Sequence, residues 1–233
     1  MEISPDQWTL FSIGPVGINA TIGFTWVVMA LLLVSALLVR LRLSTTGELT
    51  RWQNIWEVVV STMGAQIRDV SGQNPGPFLP FVGTLFIFIA ASNILIIVPG
   101  YRPPTGSLST TAALAICVLI AVPFFGMLEK GLLGYLRSYI QPSVLMAPFN
   151  VIGEVSRTIA LAVRLYGNVM SGTVIVGILI SIAPFFFPIV MQLLGLLTGL
   201  IQAYIFAILA MVYIASATRG RTNNNETKRK THD

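Results

Sequence analysis

The chain has 233 residues, of which 55% are hydrophobic and only 10% are charged. An ordinary soluble domain has about a quarter of its residues charged, so this composition excludes a soluble globular protein and indicates a polytopic membrane protein. The formal net charge of +5 is interpreted through membrane topology, and no nucleic-acid partner is expected. The only cysteine, Cys117, lies in an apolar run, which excludes an internal disulfide or a cysteine metal site.

The N-terminal part of the chain predicts one span and one amphipathic helix. Residues 1–20 contain acidic residues, prolines and glycines but no Lys or Arg, which predicts an external lead-in segment. Residues 21–39 form an apolar run long enough to cross a ~30 Å hydrocarbon core. In residues 47–69, apolar side chains that include Trp52 and Trp56 recur on one helical face, which predicts a helix lying at the membrane interface. A peripheral helix in water is the alternative for this segment.

Four more spans are predicted, at residues 78–98, 108–127, 150–182 and 189–217. The last two exceed the ~20 residues that an upright span needs, so we expect a tilted hairpin that turns at the APFFFP sequence. The predicted fold is an all-α membrane domain over residues 21–218, with five transmembrane helices and one interfacial helix. Residues 219–233 form a polar, basic tail.

The positive residues predict the orientation. Of the 14 Lys and Arg residues, only Arg102 falls in a predicted external loop, and only Arg157 and Arg164 fall inside a predicted membrane helix. The others lie in segments that the positive-inside rule assigns to the cytoplasm. We therefore expect a multi-pass protein with its N-terminus outside and its C-terminus in the cytoplasm. The expected membrane is the bacterial plasma (inner) membrane.

Arg164 is the most unusual residue of the sequence, because apolar runs flank it on both sides. A guanidinium near a bilayer centre costs at least ~3 kcal/mol on insertion scales and usually faces a bundle interior or an aqueous cavity. Helical spacing gives it a polar stripe on its own helix, made of Glu154, Arg157, Asn168 and Ser171. An internal salt bridge explains Glu154 and Arg157 as an alternative. No acid lies within a turn or two of Arg164, so its counter-charge is expected from another helix or another chain.

The last predicted helix carries a second small and polar pattern. Gly195 and Gly199 lie four residues apart, a spacing that lets another backbone approach closely. Hairpin packing alone explains these glycines as an alternative. In an antiparallel hairpin, Gln202 lies at roughly the depth of Arg164, where its amide could orient the guanidinium or hold a water molecule.

The sequence blocks FVGTLFIFIAASN, LEKGLLGYLRSYIQP, RLYGN and IQAYIFAILAMVYI resemble subunit a of the F-type ATP synthase membrane sector. The resemblance runs in order from about Pro75 to Ala217. It implies a non-catalytic stator subunit without a cofactor, which forms two offset half-channels for H⁺ or Na⁺. The implied partners are a ring of c subunits against the last two helices and a b-type peripheral stalk.

The resemblance also implies residue roles. Arg164 matches the family's essential arginine, which attracts a deprotonated carboxylate of the passing ring and blocks leakage between half-channels. Asn168 and Gln202 match the family's asparagine and glutamine, and Glu154 is a candidate for the cytoplasmic half-channel. Further candidates for half-channel lining are Asn93, Glu129, Ser171, Thr173, Gly195 and Gly199.

The sequence departs from the family pattern in one respect. Many members carry an acid or histidine nine positions after the arginine, often coupled to a partner on the last helix, and here those positions are Thr173 and Gly195. Two accounts fit this departure: a water-filled proton path, or a sodium path that uses oxygen ligands. Proton translocation is the leading interpretation.

Two other classes of protein are weaker alternatives. A stand-alone secondary transporter could bind an anionic substrate at Arg164, but inverted repeats and paired broken helices are not visible in the sequence. An intramembrane hydrolase would need a nucleophile beside a base, and the only histidine, His232, lies in the tail.

Overall fold

The computed structural model describes residues 9–13, 16–41, 51–98, 100–135, 146–182 and 186–218. Five of its helices are long and apolar enough to cross a membrane, which confirms the predicted all-α polytopic fold. The helices, in chain order, are α1 (Ala20–Leu41), α2 (Arg51–Ser71), α3 (Leu79–Ile94), α4 (Leu108–Lys130), α5 (Met146–Ile182) and α6 (Phe187–Thr218). The predicted basic tail lies outside the described residues.

A short antiparallel hairpin precedes α1. Strand β1 (Thr9–Ile13) pairs with β2 (Val16–Asn19), with Ile13 opposite Val16 at the turn end. The sequence pattern of residues 1–20 predicts only a polar, external lead-in segment and does not predict this hairpin. Its strands contain β-branched and aromatic residues such as Phe11 and Ile18, which favour extended backbone.

Helices α1 and α2 lie at the edge of the fold. In the most apolar 18-residue stretch of α1, only 6% of the residues are buried, so nearly all of this helix is free to contact lipid or another chain. In α2, Met63 and Ile67 are buried in the core. Tyr204 of α6 donates a hydrogen bond to Gln66 Oε1 at 2.7 Å, so α2 is attached to α6 by both apolar and polar contacts. The interfacial location of α2 stays a prediction.

The core forms where α3 and α4 pack against the long hairpin. Val82 and Ile89 of α3 are buried together with Phe206 and Ala210 of α6 in one apolar cluster. Small residues on α6 allow this close packing, because an alanine side chain adds little between two helix backbones. Helix α4 ends at Lys130, and the next residue, Gly131, has a positive φ of 74°, which glycine adopts readily.

Helices α5 and α6 are longer than a membrane is thick. They have 37 and 32 residues, which correspond to about 55 and 48 Å at 1.5 Å per residue. A hydrocarbon core of ~30 Å therefore requires both helices to tilt or to extend beyond it. In the most apolar 18-residue stretch of α5, only 11% of the residues are buried, so most of the surface of this helix is left for lipid or another chain.

Candidate functional site

One hydrogen bond fixes the register of the α5–α6 hairpin. Asn168 Nδ2 donates to the carbonyl oxygen of Thr198 at 3.2 Å. Arg164 lies four residues before Asn168, and Gln202 lies four residues after Thr198. Because the helices are antiparallel, one turn back on α5 and one turn forward on α6 lead to the same level. Arg164 and Gln202 therefore lie at one depth of the hairpin.

Arg164 is exposed on α5, and the exposed apolar side chains of the same helix include Val163 and Ile159. In the described part of the chain, its guanidinium has no ion pair or hydrogen bond. A permanent cation on an apolar surface needs a counter-charge. This geometry fits the expectation that the counter-charge comes from another molecule.

Gln202 has the opposite environment. Only 6% of its surface is exposed, and its Nε2 has no hydrogen-bond partner among the described residues. A buried amide donor without an acceptor costs about 1–3 kcal/mol. The structure thus contains a destabilising polar group at the level of Arg164, which packing alone does not explain.

A cavity of about 480 Å³ lies between α3, α5 and α6 toward the loop that contains Tyr101 and Arg102. We call it the amide cavity, because its polar lining includes Asn93, Asn168, Gln192 and Thr173. Gly195 and Gly199 also line it. The positions of Thr173 and Gly195, far apart in sequence, thus meet at one cavity.

The two glycines of this cavity differ in their surroundings. Asn93 Nδ2 donates to the Gly199 carbonyl oxygen at 2.9 Å, and a Cβ atom added at Gly199 would lie 2.9 Å from Asn93 Cγ. At Gly195, by contrast, no atom lies within 4 Å of an added Cβ. Gly199 is therefore explained by close packing, whereas Gly195 leaves space in the cavity.

Asn93 is fully buried, and both of its amide atoms have partners. In addition to the bond to Gly199, its Oδ1 accepts a hydrogen bond from Thr105 Oγ1 at 3.4 Å. The neighbouring Gln192 Nε2 donates to the Ile96 carbonyl oxygen at 2.9 Å, where α3 ends in a short 3₁₀ turn. These amides connect α3 to α6 as well as lining the cavity.

Tyr101 contributes a neutral phenol to the amide cavity. Its ring packs edge-on against Phe24 at a centroid distance of 5.2 Å. Burial raises the pKa of its hydroxyl above the ordinary value of 10.0, and the nearby Ser92 hydroxyl lowers it by a smaller amount. Tyr101 is therefore un-ionised near neutral pH.

A second cavity, of about 260 Å³, lies at the opposite end of the hairpin. We call it the basic cavity, because Lys130 and Arg157 both line it, together with Glu154, Thr158 and Tyr213. The Arg157 guanidinium carbon lies 5.7 Å from the centroid of the Tyr213 ring, which is a cation–π contact between α5 and α6.

The stretch between the two cavities is apolar. On α5 the basic cavity reaches Thr158 and the amide cavity begins at Asn168, which leaves about 15 Å of helix between them. The side chains buried in this stretch and opposite it on α6 include Leu161, Leu165, Ala203 and Phe206. Arg164 and Gln202 lie at this level and line neither cavity.

Two candidate lining residues lie outside both cavities. Ser171 is exposed, and its hydroxyl donates to the Asn168 carbonyl oxygen at 3.2 Å. Glu129 is also exposed, and its neighbour Lys130 lines the basic cavity instead. Successive side chains on a helix point in directions about 100° apart, so one residue can face a cavity while its neighbour faces the outer surface.

Sequence reasoning missed the contribution of Lys130 and Tyr213 to the basic cavity. For Tyr213 a signal was available: the register that pairs Arg164 with Gln202 brings Arg157, two turns earlier on α5, to within about one helical turn of Tyr213. For Lys130 no such signal exists, since the rotation of α4 is set by its packing in the bundle.

Comparison with known proteins agrees with this architecture. The family described as ATP synthase A chain matches residues 22–215. The chain is 56% identical to "ATP synthase subunit a 2" of Acaryochloris marina, with 97% of each chain covered. It is 57% identical to "ATP synthase subunit a" of Albidiferax ferrireducens, covering 95% of this chain and 96% of that one. Nitrosospira multiformis has a relative of the same name that is 54% identical, over 96% of this chain and 89% of its own. The chain therefore belongs to the ATP synthase subunit a family, whose members are membrane-sector subunits of the enzyme complex.

Proposed function

We propose that this chain couples ion flow to rotation by forming two offset half-channels against a ring of c subunits. The observation that supports this proposal most directly is the pair of cavities at opposite ends of the α5–α6 hairpin. An apolar stretch with Arg164 at its surface separates them. An ion that enters one cavity therefore reaches the other only if a group on the ring binds it and carries it past Arg164.

Arg164 acts as the fixed positive charge of this mechanism. The ring supplies a carboxylate, which Arg164 attracts when the carboxylate has lost its ion. Because a guanidinium does not lose its proton in a protein, Arg164 cannot pass a proton from one cavity to the other. The same charge repels a cation that would cross directly, so flow requires ring movement.

Gln202 and Asn168 support this charge without adding another. The buried Gln202 amide offers a hydrogen-bond donor and an acceptor at the level of Arg164. Asn168 holds α5 and α6 in register through Thr198 while its side chain lines the amide cavity. Their role is to keep polar groups at and beside the level of Arg164 in an otherwise apolar hairpin.

We assign each cavity to one side of the membrane from the distribution of positive residues. Two basic residues, Lys130 and Arg157, line the basic cavity, whereas one, Arg102, lines the amide cavity. This bias has the direction of the positive-inside rule, so we assign the basic cavity to the cytoplasmic side. The amide cavity, which the loop residues Tyr101 and Arg102 line, then opens to the outside of the plasma membrane. A b-type peripheral stalk holds the chain still relative to the ring.

Cysteine accessibility tests the two cavities. In membranes that contain the whole complex, with Cys117→Ser as background, Gly195→Cys should react with an impermeant thiol reagent only from outside. Thr158→Cys should react only from the cytoplasmic side. The control Leu193→Cys, at an exposed apolar position that lines neither cavity, should react from neither side. Reaction of Gly195→Cys and Thr158→Cys from one and the same side would contradict the proposal.

Sodium is the second candidate for the translocated ion. The described side chains that line the amide cavity provide neutral oxygen atoms, including those of Asn168, Thr173 and Gln192, and no carboxylate. Oxygen ligands are what hard cations prefer, whereas a proton path here depends on water.

ATP hydrolysis by the purified complex with and without Na⁺ at alkaline pH, followed by pumping with a protonophore, separates the two ions. Stimulation by Na⁺ with uptake that survives the protonophore indicates sodium. Activity that does not depend on Na⁺, with pumping that collapses, indicates protons.

A further inference from the structure

Arg157 lies at the end of the basic cavity that is nearer to Arg164. It precedes Arg164 by seven residues, which is two helical turns or about 10 Å, and so the two arginines share one face of α5. Arg157 lines the basic cavity, whereas Arg164 does not. An ion that moves between the level of Arg164 and this cavity therefore passes a second permanent cation.

Tyr213 holds this cation in one place. The guanidinium carbon of Arg157 lies 5.7 Å from the Tyr213 ring centroid, within the ~6 Å range of cation–π attraction. Arg157 is otherwise exposed on α5, where a long side chain has many rotamers. The aromatic ring of α6 thus selects a rotamer that keeps the charge at the cavity.

The other charged groups of the cavity do not cancel this charge. Lys130 faces the cavity from α4 and Glu154 from α5, while Tyr135 and Tyr213 contribute phenols. Two cations and one carboxylate leave the lining positive near neutral pH. A positive potential lowers the affinity of any neighbouring acidic group for H⁺ or Na⁺.

We propose that Arg157, held by Tyr213, is a positioning residue that sets the ion affinity at the basic cavity. The inference rests on the proposed function. When an ion arrives from the level of Arg164, the fixed charge favours its release to water in the cavity and leaves the carrier carboxyl group ionised. In the reverse direction, the same charge raises the concentration of ions that loading requires.

The pH dependence of ATP-driven pumping by the whole complex tests this inference, with pH varied on the cytoplasmic side only. Removing the charge in Arg157→Gln raises the apparent pKa of loading, so the midpoint above which pumping declines should rise by about 0.5–1 pH unit. Tyr213→Leu, which removes the ring, should shift the midpoint in the same direction. Tyr213→Phe keeps the aromatic face and should retain the wild-type midpoint. If sodium is the ion, the equivalent result is an about 3- to 10-fold lower half-saturating Na⁺ concentration.

An unchanged midpoint in both Arg157→Gln and Tyr213→Leu, with pumping retained, would overturn the inference. An equal shift in Tyr213→Phe and Tyr213→Leu would also overturn it, because the hydroxyl rather than the ring would then be responsible. If the Arg157→Gln variant does not assemble into the complex, the comparison of Tyr213→Leu with Tyr213→Phe still tests the inference. The proposed function fails separately, if Arg164→Ala pumps normally.

Discussion

Asn93 of α3 donates a hydrogen bond to the backbone carbonyl oxygen of Gly199 on α6 at 2.9 Å, in a position where both residues are buried. The contact joins the two helices beside the amide cavity. It requires a residue without a Cβ atom at position 199, because that atom would lie 2.9 Å from Asn93 Cγ.

Gly199→Ala is therefore expected to destabilise the protein by about 1–3 kcal/mol, the usual cost of overpacking a core. The measurement is the thermal stability of the purified complex, together with the amount of the chain in membranes. Gly195→Ala is the matched control, because no atom lies within 4 Å of an added Cβ there. Equal stability of the two variants would show that Asn93 moves aside without cost.

Asn93→Asp changes the same contact electrostatically while nearly preserving its shape. A carboxylate cannot donate to the Gly199 carbonyl oxygen, and the Thr105 hydroxyl alone does not offset the cost of burying its charge. We expect lower stability than wild type at neutral pH and partial recovery on acidification, since a protonated carboxyl group can donate again. Thermal unfolding midpoints of the purified complex between pH 5 and pH 8 measure this effect. A constant difference from wild type across that range would contradict it.

Arg164→Ala should abolish ion-coupled ATP synthesis and allow passive ion leak, because the apolar stretch loses its fixed charge. Arg164→Lys should also fail, since an ammonium is a compact, strongly hydrated charge without the planar fork of a guanidinium. Growth on a nonfermentable carbon source, with each variant as the sole copy, is the measurement. Cys117→Ser, an exposed position on α4, serves as the control. Normal growth of either Arg164 variant would exclude the proposed role.

Gln202→Leu should cause only a partial loss of coupled pumping. The change removes a buried donor that has no partner among the described residues, so it is expected to leave stability equal or slightly higher. Coupled pumping should fall because the variant lacks the Gln202 amide, which lies at the depth of Arg164. Unchanged pumping together with higher stability would assign Gln202 to packing alone.

Tyr101 makes stability sensitive to alkaline pH. Burial raises the pKa of Tyr101 in the folded chain above the ordinary value of 10.0. Above about pH 10 the unfolded chain therefore loses this proton more readily than the folded chain, so the free energy of unfolding is constant with respect to this group below pH 10 and decreases as pH rises further. Tyr101→Phe removes this group and should reduce the loss of thermal stability between about pH 10 and pH 11. The control is Tyr204→Phe, because Tyr204 is exposed and bonded to Gln66. A loss of the same size in wild type and Tyr101→Phe would contradict the assignment.

Several features of the protein were determined by the sequence alone. The thickness of the hydrocarbon core sets how long an apolar run must be, and five such runs predict the five long helices. The cost of a guanidinium in lipid identified Arg164 before any contact was known. The helical period, combined with an antiparallel turn, also predicts that Gln202 lies at the depth of Arg164. Each of these inferences depends on one helix or on one pair of adjacent helices.

The tertiary structure decided which polar residues share a cavity. Lys130 rather than Glu129 faces the basic cavity, and Tyr213 lies against Arg157. The Asn93 amide nitrogen is bonded to α6, and its amide oxygen is bonded to the loop before α4. Ser171 shares a helical stripe with Asn168 but lies on the outer surface. These outcomes depend on how each helix is rotated about its axis, and that rotation is fixed only when all the helices pack together. The sequence period describes one helix at a time, so it cannot supply the rotation.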